Sequence, residues 1–93
     1  MVMVHFRGPD EMAVSRVADA FAEALRPHLP PAVMVSGPLP SPITRIRTHY
    51  RYQMTLRGGN VRTVVALLRR QVVATRFPDN VDVHVDVDPR SLM

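Results

Sequence analysis

The chain contains neither cysteine nor lysine. Without thiols there is no disulfide framework and no thiolate metal site, and a reducing compartment is permitted without being required. Without lysine there is no phosphate loop of the kind that closes on lysine, so ATP hydrolysis of that type has no seat in these 93 residues. Long hydrophobic runs are missing as well. None approaches the ~20 apolar residues of a bilayer span, and Met1-Val2-Met3-Val4 leads into no signal-peptide hydrophobic region. The expectation is a cytoplasmic domain with no membrane partner. Its length suits a single domain over residues 1–93, burying roughly 60–65% of the unfolded chain's surface.

Acidic residues are absent locally. Between Glu23 and Asp79 there is none, and nine of the twelve arginines fall in that interval, so a net charge of +4 conceals a central segment of +9. Segregated positive charge of this kind favours polyanions through counterion release and long-range steering.

Periodicity gives six elements. Val2, Val4 and Phe6 alternate as a first strand that ends at Gly8-Pro9. Pro9 or Asp10 opens a helix with Val14, Val17, Ala18, Phe21 and Leu25 on one side, and Pro27, Pro30 and Pro31 stop it. Ala32 to Ser36 reads as a short second strand. Asn60 is the expected N-cap of a second helix that buries Val61, Val64, Val65, Leu68 and Val72. In the last strand Val81, Val83, Val85 and Val87 alternate with Asp82, His84, Asp86 and Asp88.

The segment from Val35 to Gln53 is the most informative. From Pro40 to Pro42 the fixed φ of proline holds an extended path, which is expected to lack regular structure. From Arg45 the alternation is strict. Ile46, Tyr50, Tyr52, Met54 and Leu56 take one parity; Arg45, Arg47, His49, Arg51, Gln53 and Arg57 take the other. A third strand over roughly 47–57, closed by Gly58-Gly59, would pack one face inward and leave the other basic.

The order βαββαβ predicts an α+β fold, a split βαβ sandwich with a four-stranded sheet and both helices on one face. The opposite face would stay open. It would collect His5 and Arg7, the arginines of the third strand, and Asp82, His84 and Asp86, with cross-strand ion pairs neutralising part of the charge.

Gly37-Pro38, Pro40, Pro42, Ile43, Arg45, the run Tyr50-Arg51-Tyr52-Gln53, and the closing Asp86-Val87-Asp88-Pro89-Arg90-Ser91-Leu92 resemble the C-terminal domain of the primosomal replication-restart helicase PriA. The likeness is close from about Val33 onward and rests on pattern alone in the first strand and helix. It implies a fold similar to a small-subunit ribosomal protein and a DNA-binding domain that sits against the helicase core. The chain would then be cut from a longer ATP-dependent 3′–5′ DNA helicase acting at stalled forks. Its partners would be forked or single-stranded DNA, the single-strand-binding protein, other primosome proteins and the remaining helicase domains in cis. The ATPase loop and the family's cysteine-bound zinc would lie elsewhere, leaving a noncatalytic domain with no cofactor.

The candidate nucleic-acid-binding residues are Arg45, Arg47, Arg51 and Arg57 on the third strand, aided by Arg62 and Arg69 on the second helix. A guanidinium offers a planar fork that gives two hydrogen bonds to one phosphate and stacks on bases. Arg62, Arg69 and Arg76 lie seven apart and would share one helical ridge with Arg70 beside it. Base contacts are not indicated, since phosphate contacts position without selecting sequence. Arg62, next to Val61, is the candidate cation for the single-strand-binding protein's acidic tail, which ends in a hydrophobic residue. Set against these readings is a solvated charged face, with arginines paired to Asp82 and Asp86.

Tyr50 and Tyr52 share parity with the apolar set and are read as core residues. His5 and His84 have metal-ligand chemistry but no ordered partners, so no metal site is assigned. The Asp86 and Asp88 carboxylates lack a nucleophile, and Asp88-Pro89 reads as a turn. Two rival classes are an RNA-binding or ribosome-associated module on the same fold, and an acylphosphatase-type enzyme. For the enzyme only Arg7-Gly8 matches in part, with Asn60 and Asn80 placed elsewhere.

Overall fold

A computed structural model describes residues 1–46 and 49–87, with backbone alone for 42–46. Strand β1 (Val2–Gly8) leads to helix α1 (Glu11–Leu25) and a short 3-10 turn (Arg26–His28). Strands β2 (Met34–Ile46) and β3 (His49–Arg57) form a hairpin, followed by helix α2 (Val61–Ala74) and strand β4 (Asp82–Val87). The sheet order is β2-β3-β1-β4, antiparallel throughout. This is the split βαβ sandwich.

The inward parity of β1 seeds the core. Val2, Val4 and Phe6 are buried and stand opposite Leu56, Met54 and Tyr52 on β3, and opposite Val87, Val85 and Val83 on β4. Helix α1 covers this apolar row with Val14, Ala18, Phe21 and Leu25, all essentially solvent-free. Burying side chains of this size stabilises by roughly 1.5–3 kcal/mol each. Phe6 meets Phe21 edge to face at 5.6 Å, and Phe77, from the segment after α2, lies 6.1 Å from Phe21. Helix α2 adds Val64 and Leu68, with Val61, Val65 and Val72 partly buried.

Both helix starts are capped by side chains. Asp10 accepts from the Met12 and Ala13 N–H groups at 3.0 and 3.4 Å. Asn60 accepts from Arg62 and Thr63 at 2.9 and 3.3 Å. Each satisfies amides that have no partner within the helix.

Four details differ from the reading of the sequence. First, β2 runs through Pro38, Pro40 and Pro42 instead of giving way to an irregular segment. It is the outer strand, where a missing amide donor is tolerated, and its register against β3 shifts between Ser36 and Leu39 and again between Pro40 and Arg45. Gly37 makes the first shift possible: its φ is +91°, and a Cβ there would stand 2.8 Å from the Gln53 carbonyl oxygen. The Arg26 guanidinium donates to the Gly37 carbonyl at 3.4 Å, tying this bend to the end of α1.

Second, Arg45 and Ile46 belong to β2, where they face Tyr50 and His49 of β3; residues 47 and 48, expected at the start of the third strand, lie outside the described residues. Third, α2 ends at Ala74. The Thr75 hydroxyl donates to the Gln71 carbonyl at 2.6 Å while its backbone is extended, and Pro78 follows, so Arg76 lies off the helix and outside the expected ridge. Fourth, Tyr50 is only half-buried. It faces Gly8 at the sheet's end, past the apolar row, whereas Tyr52 packs on the core as its parity requires.

Candidate nucleic-acid interface

Because Val2, Val4 and Phe6 point toward the helices, the residues between them point the other way. The register then builds three cross-strand rows on the open face: Arg51–Arg7–Asp82, Gln53–His5–His84 and Thr55–Met3–Asp86. Helices occupy only the opposite side, so this surface meets solvent.

In the first row Arg7 donates to the Asp82 carboxylate at 3.3 Å, an exposed cross-strand ion pair. Arg51 stands directly opposite Arg7 and, among the described residues, has no ion pair of its own. Like charges facing each other across a strand pair repel, so the row holds two cations for one acid.

The second row carries the aromatic surface. The His5 and His84 rings lie 6.2 Å apart and 28° from parallel. His5 Nε2 is 3.9 Å from the Asp86 carboxylate. Burial pushes the His5 pKa below its ordinary value of 6.5; Asp86 opposes this, while Arg51 and His84 add to it. Together His5, Arg7, Arg51, Asp82 and His84 line a shallow cleft of about 310 Å³.

A second concavity of about 580 Å³ lies where α2 meets β4, lined by Val61, Arg62, Val65, Ala66, Arg69 and Val87. Its floor is apolar, and the two arginines expected to share a helical ridge both border it. Among the described residues no group of three His, Cys, Asp or Glu can hold a metal ion, and no helix is long and apolar enough to cross a membrane.

The six arginines singled out from the sequence therefore do not make one patch. Arg51 lies half-buried on the open face, and Arg57 follows it on the same parity at the far end of β3, exposed. Arg62 and Arg69 share the α2 groove on the helical side. Arg45 belongs to β2, opposite Tyr50, and its side chain lies outside the described residues, as does Arg47 entirely. Arg7 was not among the six, although its place between Phe6 and Gly8 on an alternating strand already puts it on the open face.

A family model of the primosomal protein N C-terminal domain matches residues 1–90. The chain belongs to this family. It is 29% identical over 92 residues to the replication restart protein PriA of Synechocystis sp. (strain ATCC 27184 / PCC 6803 / Kazusa), an alignment that takes in 99% of this chain and 11% of that protein. The chain thus spans about a ninth of the length of that relative. The family match reaches back over β1 and α1, which the residue motifs covered only by pattern.

Proposed function

We propose that this chain is a noncatalytic nucleic-acid-binding and protein-docking domain of a cytoplasmic replication-restart DNA helicase. Arg45, Arg47, Arg51 and Arg57, with Arg62 and Arg69, contact backbone phosphates of forked or single-stranded DNA. The observation that carries this reading is the unbalanced row on the open face, where Arg7 pairs with the single carboxylate of Asp82, while Arg51, opposite Arg7, has no ion pair among the described residues. An anion between them relieves their repulsion, and a guanidinium grips phosphate with two parallel hydrogen bonds. The arginine-rich, acid-free centre of the chain extends this field over the hairpin and α2.

The docking half of the proposal rests on the α2 groove. An acidic tail ending in a hydrophobic side chain, of the kind the single-strand-binding protein presents, needs a cation beside an apolar notch. Arg62 and Arg69 flank Val61, Val65 and Val87 there. The helix start adds little by itself, because Asn60 already occupies the Arg62 and Thr63 amides. Other primosome proteins and the rest of the helicase in cis are further partners on this reading.

Fluorescence anisotropy with forked and single-stranded oligonucleotides tests the DNA half. Binding is expected to be weak and to fall steeply with salt, since each phosphate contact releases a counterion. Replacing Arg45, Arg47 and Arg51 together by alanine should weaken binding across sequences while leaving the melting temperature in place. Unchanged affinity in that variant removes the hairpin from the interface.

A further inference from the structure

We propose that the His5–His84 pair is a stacking platform for an unpaired base of single-stranded DNA, with the adjoining phosphate held by Arg51 and Arg7. The proposal rests on the DNA-binding reading above and adds how the strand is held. Tyr52 packs on the core and Tyr50 shares its parity, so the aromatic rings that β1 and β4 bring to the open face are the two histidines. They are register partners on β1 and β4, stacked with rings 6.2 Å apart and 28° from parallel, and a base extends the stack at the exposed His84.

The neighbours fit a nucleotide. Arg51 and Arg7 stand one row away, and Gln53, in line with the two rings, offers amide donors and an acceptor to a base edge. The cleft that the two arginines border with His5, His84 and Asp82, about 310 Å³, lies on the open face, which suits a base entering from solvent. Burial and the nearby Arg51 and His84 keep the His5 ring toward its neutral form, so its contribution is the ring face more than a charge. Asp82 and Asp86 flank His84 along β4 on the open face and steer the phosphates toward β3, where the unneutralised arginine lies. A duplex hides its base faces within the stack; a four-stranded sheet with an exposed ring at His84 therefore reads unpaired bases.

The test uses His84, which is exposed on the outer strand, so that its variants keep the core intact. Binding of a labelled oligo-dT, an oligo-rU of equal length and a DNA hairpin duplex is measured at about pH 8, where ordinary histidines are uncharged. His84→Ala should weaken oligo-dT binding by roughly five- to tenfold, toward the low end of what removing one stacking ring does. The duplex should be unaffected, and His84→Phe should restore the loss. Normal oligo-dT binding by His84→Ala overturns the platform and leaves the DNA-binding reading standing. Equal losses for oligo-dT and duplex also overturn it, because the effect is then not one of base stacking. Tighter binding of oligo-rU overturns the assignment to DNA. Failure of the unsubstituted chain to bind any of the three at low salt defeats the underlying reading and the platform together.

Discussion

Arg7 faces Arg51 across the β1–β3 pair and reaches in the other direction, to Asp82 on β4 at 3.3 Å. One carboxylate thus stands against two guanidinium groups, and it competes with any anionic ligand for the first of them. Asp82→Asn should free Arg7 and tighten single-stranded DNA binding, with a salt dependence steeper by up to about one counterion if Arg7 gains a phosphate. Stability should change by less than about 1 kcal/mol, since exposed pairs contribute little. Anisotropy titrations at graded salt and a thermal melt check this, and an affinity that stays the same or falls counts against it.

For the α2 groove, an acidic peptide ending in a hydrophobic residue should shift the NMR signals of Val61, Val65 and Val87. Arg62→Glu should weaken that binding several-fold and added salt should do the same. If the shifts fall on the open face, or none occur, the groove is a solvated notch and the docking half of the proposal is wrong.

Packing makes a quantitative demand on β1. Phe6 is fully buried and meets Phe21 edge to face, so Phe6→Ala should cost about 3–5 kcal/mol. Tyr52→Ala, at the half-buried position opposite Phe6, should cost less, with DNA affinity retained in the folded fraction. Urea denaturation gives both values. A Tyr52→Ala variant that lost DNA affinity with unchanged stability would return that ring to the binding surface.

His5 supplies a pH signature. Its pKa lies below 6.5 in the folded chain, chiefly through burial, with Asp86, Arg51 and His84 acting on it at close range. As pH falls below about 6.5 the unfolded chain takes up the proton first, so folding stability declines until the folded-state pKa is passed and then levels off. Above 6.5 this contribution to stability is fully present. His5→Gln should flatten this part of the melting temperature profile between about pH 5 and 7; identical slopes in the two proteins would show that other groups set it.

The fold was largely legible because burial imposes a period. Val2, Val4 and Phe6 alternate, and the apolar stripes from Val14 to Leu25 and from Val61 to Val72 repeat every three or four residues. Each pattern exists only because one side meets the core. Asn60 announced its helix for a local reason, a side chain that reaches its own amides. What the sequence hid depended on position within the sheet. Prolines 38, 40 and 42 look like strand breakers until the strand is known to be outermost, and that Arg45 and Ile46 belong to β2, opposite Tyr50 and His49, is a matter of register. The same holds for the site. Parity placed Arg51 on the open face, but that Arg7 stands opposite it with only Asp82 to share is a fact of register. Likewise Arg62 and Arg69 acquire an apolar floor only when β4 brings Val87 alongside α2.

The two outer strands are not equivalent. Along β2 the backbone lacks three amide hydrogens and slips register twice, so an incoming extended chain would meet a ladder with missing rungs. Along β4 six residues run without a proline and in unbroken register with β1. Growth of the sheet consequently has a direction: self-association and strand exchange are discouraged at the hairpin edge, and a complementary segment from a neighbour has its even template beside Asp82–Val87.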